Sequence, residues 1–275
     1  MGRLIAACRR LGGAAVIAVA VATPLRAEST LVFATEGTYP PWSTVDAAGA
    51  LAGFDVDMVG ALCRVAGREC TLERAAFPAM IEQLAAGRFD GIVSGIAITA
   101  EREKTIAFTR PYMSLSVSFA APAGSRLAAN SLKSREELLA ALAASRLGAQ
   151  ADTVNARFIA EVLPGAALVT FDDQESLNAA IARGTVDAGL AATETWLDPA
   201  PEIASTIVAL GPPLTSAAYP MLGRGLGIGL RTDDAALKAA LDDAICALAA
   251  DGTMAMLSVR WFRADLSIPC TGGGT

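Results

Sequence analysis

Gly-Ile-Val-Ser-Gly-Ile-Ala-Ile-Thr-Ala-Glu-Arg, residues 91 to 102, passes from an apolar run directly into a polar segment. The apolar run, 91 to 98, has the length and composition of an interior strand. Thr99 is a favourable N-cap, and residues 100 to 104 have the composition of a first helical turn. A buried strand that leads into a helix is typical of α/β folds, so this junction predicts that class of architecture.

The same junction has the features of an anion-binding site. The N–H groups at the start of a helix and the positive end of its dipole favour a bound anion. Gly95 and Ala97 are small, so a ligand can approach the backbone closely, and Arg102 can form two charge-assisted hydrogen bonds with a carboxylate. These features indicate a receptor rather than a catalyst. Taken alone, the segment is more typical of an ordinary strand, loop and helix that carry a solvated arginine.

Strand and helix patterns alternate along the rest of the chain. Ser134 and Glu137 form a capping box ahead of the third predicted helix, and Thr232 is the expected cap of the fifth. The further predicted strands are 31–35, 71–74, 146–149 and 226–231. The predicted helices are 54–66, 79–86, 138–145, 153–162, 233–250 and 252–261.

An internal repeat predicts two similar α/β lobes. Residues 84–93 and 181–190 share the pattern of a helix end, a glycine, an aspartate and a strand start. We expect a discontinuous first lobe, 28–118 and 222–270, with the second lobe, 119–221, inserted into it. The chain then crosses twice between the lobes, and two crossings make a hinge beside a cleft.

Composition indicates an exported globular protein. The chain has 275 residues, of which 53% are hydrophobic, enough for one large or two modest domains. Residues 1–27 have an arginine-rich start and an apolar centre, which predicts a signal peptide cleaved near Ala27. Its removal takes four arginines and no acidic residue, so the net charge falls from −6 to −10. This acidity argues against nucleic acid and anionic membranes as partners.

The cysteines of the exported chain predict two disulfides. Cys63 and Cys70 are placed to join the end of a helix to the next strand, and Cys246 can pair with Cys270 if the C-terminal tail folds back. Metal binding by cysteine alone is the alternative, although neither pair has the spacing of a zinc site. The chain has no histidine, which excludes catalysis with an imidazole base. We expect neither a metal nor a cofactor.

Short motifs in a fixed order make the chain resemble a known family. They are Glu36-Gly-Thr-Tyr-Pro-Pro-Trp42, Gly53-Phe-Asp-Val-Asp57, the Cys63 and Cys70 pair, Gly87-Arg-Phe-Asp90, Ile98-Thr-Ala-Glu-Arg102, Phe108-Thr-Arg-Pro-Tyr112 and Asp251-Gly-Thr253. The chain resembles the extracytoplasmic solute-binding proteins (family 3) of polar amino acid ABC transporters, closest to the branch that binds lysine, arginine, ornithine, histidine or opines. The resemblance implies a two-lobed periplasmic-binding-protein (Venus flytrap) fold and a monomer in the periplasm that delivers its ligand to an ABC transporter permease.

The resemblance also implies roles for individual residues. Arg102 would hold the ligand α-carboxylate, aided by Ala97 and by Thr153 from the second lobe. Glu36 would contact the distal, often cationic, end of the ligand. The position of Glu36 directly after the first predicted strand agrees with this role, because open α/β sheets bind ligands at the carboxyl ends of their parallel strands.

Further positions follow from the same resemblance. Tyr39 and Phe77 would enclose the ligand side chain, where aromatic rings also attract cations, and Ser94 and Gly95 would contact polar ligand atoms. Ordinary core packing is the alternative role for both aromatic residues.

Two departures from the family pattern concern the ligand. A serine is common where this chain has Ala97, so a hydroxyl is missing from the carboxylate site. An aspartate that usually binds the α-amino group is replaced by Ala192. Asp152 can supply a carboxylate from another direction, with Glu194 as a weaker candidate. A ligand without a free primary α-amine is the other explanation.

The same fold leaves an enzymatic alternative open. It includes exported dehydratases that act on prephenate-like acids and also carry the Gly-Phe-Asp-Val-Asp motif and the arginine. Such chemistry needs a general acid, and Glu36 is the only obvious one in this chain. We therefore expect a binding protein and no enzyme, with a cyclohexadienyl or arogenate dehydratase as the alternative.

Overall fold

A computed structural model describes residues 30–197 and 205–270 of the chain. The expected signal peptide, 1–27, lies outside these residues. Secondary-structure elements are numbered in chain order. The first elements are β1 (Leu31–Thr35), β2 (Thr44–Val45), β3 (Leu51–Ala52), α1 (Phe54–Ala66), β4 (Cys70–Arg74), α2 (Met80–Ala85), β5 (Gly91–Ile92) and β6 (Ala107–Phe108).

The remaining elements continue the alternation. The middle of the chain forms β7 (Ser116–Pro122), α3 (Arg126–Ala129), α4 (Arg135–Leu142), β8 (Arg146–Gln150), α5 (Val154–Val162), β9 (Ala167–Phe171), α6 (Gln174–Ala182), β10 (Ala188–Ala192), α7 (Thr193–Leu197) and β11 (Ile207–Thr215). The last part forms β12 (Gly229–Leu230), α8 (Ala235–Ala250) and α9 (Thr253–Phe262).

The first sheet is built from both ends of the described chain. Its strand order is β4-β1-β5-β12-β6, with β4, β1 and β5 parallel and β12 antiparallel to both neighbours. Helices α1, α8 and α9 pack together on it and share one hydrophobic cluster. No single helix in the described ranges is long and apolar enough to cross a membrane; α8 and α9 together meet that length and composition, with a bend of 77° between them.

The second sheet comes from the middle of the chain. Its order is β11-β7-β10-β8-β9, with β10, β8 and β9 parallel and β7 antiparallel to β10 and β11. The predicted capping box at Ser134 and Glu137 is present and starts α4. The Thr153 hydroxyl caps α5 by accepting a hydrogen bond from the Ala156 N–H.

The chain passes between the sheets after β6 and returns between β11 and β12. Met113 and Leu226, one in each crossing segment, form an antiparallel bridge, so the two segments lie side by side. The result is the expected α/β fold with two lobes and a two-strand hinge. The exact lobe boundaries, 118/119 and 221/222, stay predictions.

Three local predictions are wrong. The expected helix after Thr99 is a single 3-10 turn, Arg102–Lys104, and the expected strand 91–98 keeps its ladder only at Gly91–Ile92. The cap of α8 is Asp234, whose carboxylate accepts from the Leu237 N–H, and not Thr232. The first of these corrections removes the helix terminus from the proposed anion site.

Both predicted disulfides are present. Cys63 joins Cys70 across the turn between α1 and β4, with their Cα atoms 6.2 Å apart. Cys246 in α8 joins Cys270, so the C-terminal tail folds back on the last helices as expected. Cysteine ligation of a metal is therefore excluded at these positions.

Candidate functional site

A cavity lies between the two sheets, at the carboxyl ends of β1, β5, β8 and β10, where open α/β sheets bind ligands. Eight of the ten residues predicted from the sequence line it. The complete lining is Tyr39, Trp42, Phe77, Ser94, Gly95, Ala97, Arg102, Leu115, Val117, Gln150, Thr153, Val154, Asn155, Ala192 and Leu226. Glu36 and Asp152 are the two predicted residues outside this lining.

Arg102 contributes the positive charge of the cavity. Its Nη1 donates to the Ala97 carbonyl at 2.9 Å, and its Nη2 donates to the Asp152 carbonyl of the other lobe at 3.0 Å. The guanidinium carbon lies 5.5 Å from the centre of the Phe77 ring. Burial lowers the pKa of Arg102 to about 10, against a smaller opposite effect of Asp152, so the side chain stays charged at neutral pH. A guanidinium has five N–H donors, which leaves donors for a carboxylate.

Tyr39 connects the two lobes across the cavity. Its hydroxyl accepts a hydrogen bond from the Ala192 N–H at 3.2 Å, and its ring stacks near Trp42 with centroids 6.5 Å apart. Burial raises the pKa of Tyr39 above its usual value, so the phenol stays neutral. Trp42 is 1% exposed and was not predicted as a site residue, although it ends the motif that begins at Glu36.

Three side chains of the described lining have unused hydrogen-bonding atoms: the donor Trp42 Nε1 and two polar atoms of Ser94 and Asn155. Ser94 Oγ and Asn155 Oδ1 are buried and have no partner in the described part of the structure. Thr153, in contrast, already donates from Oγ1 to the Gln150 carbonyl at 2.7 Å. Asn155 escaped the sequence analysis, and its place in the first turn of α5, two residues after Thr153, is the signal that could have identified it.

Glu36 is buried on the far side of Gln150. Its Oε1 accepts from Gln150 Nε2 at 2.6 Å and from the Thr38 hydroxyl at 3.0 Å, while Oε2 has no partner among the described residues. Burial raises the pKa of Glu36 to about 7, against the lowering effect of these two hydrogen bonds and with a small addition from Asp173 and Glu175.

Neither candidate for the α-amine lines the cavity. Asp152 is exposed, has a positive φ of 58°, and presents its carbonyl to Arg102. Glu194 is 6% exposed, and burial raises its pKa to about 7. The described lining of the cavity thus contains one arginine and no carboxylate.

Comparison with known proteins places this geometry in a family. The family model for bacterial extracellular solute-binding proteins, family 3, matches residues 31–264. The ABC transporter arginine-binding protein 1 of Escherichia coli (strain K12) is 30% identical over 233 residues, which cover 84% of this chain and 89% of that protein. The resemblance found in the sequence motifs is therefore confirmed.

Solved structures agree on the architecture. A periplasmic His/Glu/Gln/Arg/opine family-binding protein from Silicibacter pomeroyi, in complex with lysine, is 30% identical with a TM-score of 0.73, over 87% of this chain and 100% of that one. An ancestral amino acid-binding protein described as a precursor of cyclohexadienyl dehydratase is 26% identical with a TM-score of 0.71, over 85% and 95%. The chain belongs to the bacterial extracellular solute-binding proteins of family 3.

Proposed function

We propose that the protein is a periplasmic receptor for an amino acid or related small carboxylate with a cationic or opine-like side chain. It passes this ligand to the permease of an ABC transporter and works as a monomer. The observation that carries the proposal is Arg102, a partly buried guanidinium with free donors in a cavity whose described lining contains no carboxylate. A ligand carboxylate supplies the missing negative charge, and a charge-assisted pair contributes about 1.5–3 kcal/mol.

The α-amine of the ligand has two acceptors in place of the usual aspartate. Ser94 Oγ and Asn155 Oδ1 both line the cavity, and both lack a partner among the described residues. Neutral acceptors hold an ammonium less strongly than a carboxylate does. We therefore infer a site that accepts α-amino acids but discriminates weakly against analogues without the amine.

A cationic side chain is favoured by Glu36 and by the names of related proteins. Glu36 is the carboxylate next to the cavity, separated from it by Gln150. The related proteins are named for arginine, histidine and octopine, and the Silicibacter pomeroyi structure contains lysine. These ligands all carry an α-carboxylate and a basic group at the distal end.

The test is a ligand screen by thermal unfolding, followed by calorimetric titration. A ligand at 100 times its Kd stabilises the protein by about 2.7 kcal/mol, so binding is visible as a rise in Tm. We expect lysine, arginine, ornithine or an opine to raise Tm, and Arg102→Ala to abolish the rise. Arg135→Ala, which removes an exposed arginine at the start of α4, is the matched control. Binding that survives in Arg102→Ala contradicts the proposal.

A dehydratase is the second candidate, because one similar structure is described as a precursor of such an enzyme. Glu36, with a pKa of about 7, has the protonation behaviour of a general acid, but Gln150 stands between it and the cavity. Incubation of the purified protein with prephenate or arogenate distinguishes the two functions. Turnover that is lost in Glu36→Gln establishes the enzyme.

A further inference from the structure

A second cavity lies on the other side of the Gln150 side chain. It is lined by Glu36, Thr38, Arg74, Asp172 and Asp173, together with two alanines. Gln150 lines the first cavity, and its Nε2 bonds to Glu36 Oε1 at 2.6 Å and to the Asp172 carbonyl at 3.2 Å, two groups of the second. One side chain thus stands between a cavity whose charged residue is Arg102 and a cavity lined by three acidic residues and Arg74.

The backbone of Gln150 is fixed in the sheet, while its side chain has those two hydrogen bonds among the described residues. Gln150 is the last residue of β8 and pairs with Phe171 of β9 in the sheet. The side chain is 4% exposed. A rotation of the side chain about its own bonds would open a path between the two cavities and leave the β8–β9 pairing in place.

The Gln150 amide makes the hydrogen bonds that a ligand cation would make. Its nitrogen donates to two acceptors, a carboxylate oxygen and a carbonyl oxygen, and an ammonium or guanidinium group donates to the same pair. A cation adds a charge–charge attraction to Glu36 that the neutral amide lacks. The buried Glu36 Oε2, which has no partner in the described ranges, offers a further acceptor.

We propose that Gln150 determines which ligand lengths the site accepts, by occupying the position of the ligand's distal cation until a long cationic side chain displaces it. This inference rests on the proposed function. A short ligand binds to Arg102 with Gln150 in place and does not reach Glu36. A ligand of arginine length extends into the second cavity, and its affinity is reduced by the loss of the two Gln150 hydrogen bonds.

The test compares ligands of increasing length in Gln150 variants. Calorimetry gives Kd for 2,4-diaminobutyrate, ornithine, lysine and arginine, and the quantity followed is the ratio of Kd for diaminobutyrate to Kd for arginine. We expect Gln150→Ala to raise this ratio by about tenfold, the equivalent of one to two hydrogen bonds. Gln150→Asn, which shortens the side chain by one methylene, should raise the ratio by a smaller factor and serves if the alanine variant does not fold.

The control is Gln83→Ala, which removes a glutamine of α2 that lines neither cavity and should leave the ratio unchanged. Thermal unfolding checks that each variant is folded. An unchanged ratio in the folded Gln150 variants, with the unaltered protein still binding, overturns this inference and leaves the proposed function intact. If the unaltered protein binds none of the four ligands, the proposed function fails and this inference fails with it.

Discussion

Single residues determine the charge that a ligand meets at each end of the site. Arg102 is charged at any pH near neutrality, because its lowered pKa of about 10 is still well above 7. Glu36 differs, since burial raises its pKa to about 7 and its charge therefore changes within the physiological range. The charge of Arg102, which faces the ligand carboxylate, therefore stays constant near neutral pH. The charge of Glu36, which faces the ligand cation, changes with pH.

Affinity for a cationic ligand should therefore depend on pH. A ligand cation requires ionised Glu36, and the ionised fraction falls by about tenfold between pH 8 and pH 6 for a pKa near 7. We expect Kd for arginine to rise by a similar factor over that interval when measured by calorimetry. Glu36→Gln is the control and should bind arginine more weakly, with a flat pH profile. A native profile as flat as that of the variant would exclude contact between the ligand cation and Glu36.

Replacing Ala192 with aspartate should restore recognition of the α-amine. Ala192 lines the cavity at the end of β10, and an added carboxylate there can accept a charge-assisted hydrogen bond from an ammonium. Titration with arginine and its α-hydroxy analogue measures this recognition directly. We expect Ala192→Asp to increase the preference for arginine by about tenfold. An unchanged preference for arginine over the α-hydroxy analogue would show that the ligand α-amine does not lie beside the end of β10.

At the scale of elements, the start of α1 depends on one glycine. Gly53 has a φ of 127°, and a Cβ on it would lie 2.3 Å from the Trp42 carbonyl oxygen. That contact is with backbone, so it cannot be relieved by rotation of a side chain. We expect Gly53→Ala to lower the free energy of unfolding by more than about 2 kcal/mol in urea titrations.

The matched control for this prediction is Gly49→Ala. Gly49 also has a positive φ, 84°, but a Cβ there would meet no atom within 4 Å. Gly49→Ala should therefore lower the free energy of unfolding only by the backbone strain, about 1 kcal/mol. Equal effects of the two substitutions would show that the clash with Trp42 is relieved by movement of the chain.

Elements with strong local signals were predicted well from the sequence. The predicted bounds of β1 and α1 agree with the structure, because α1 has apolar residues at helical spacing and ends at Gly67 in the left-handed conformation. The segment after β5 was not predicted, for a non-local reason. The Ile98 N–H bonds to the Gly225 carbonyl, and the Arg224 and Gly227 N–H groups bond to the Ile98 and Ile96 carbonyls. A distant part of the chain therefore pairs with the residues that were expected to continue β5.

The same limit applies to the candidate site. Motif residues such as Arg102 and Tyr39 could be placed in the cavity from sequence, whereas Gln150 could not, because its partner Glu36 is 114 positions away. Asn155 has no motif of its own and faces the cavity only through the packing of α5. Local sequence patterns thus predict which residues lie at the end of each strand. Contacts between residues of different lobes could not be predicted from such patterns and are seen only in the structure.

At the scale of the whole molecule, the lobes touch through polar contacts around the cavity. Arg102 bonds to the Asp152 carbonyl, Gln150 to Glu36, and the Ala192 N–H to Tyr39. Each of these bonds joins the first sheet's loops to the second's and involves a residue of the lining. A ligand that bonds to the same groups therefore acts on the contact between the lobes, which is how binding can be coupled to closure.

Buried acids near this contact should make stability depend on pH. Burial raises the pKa of Glu36 and of Glu194 from 4.5 to about 7, and it raises the pKa of Asp55 well above its usual value. Between pH 5 and pH 8 the folded protein thus retains protons that the unfolded chain has released. Stability falls with rising pH wherever the folded state binds more protons, so the free energy of unfolding should decrease across this interval.

Each glutamate can contribute at most about 3 kcal/mol to that decrease, since one pKa unit corresponds to about 1.4 kcal/mol. Urea titrations at pH 5, 6, 7 and 8 measure the slope. The double variant Glu36→Gln, Glu194→Gln cannot ionise at these positions, so its profile should be flatter, and the slope that remains should come from Asp55. Native stability that stays constant or rises from pH 5 to pH 8 would mean that these glutamates are ionised in the folded protein, because water or a neighbouring cation reaches them.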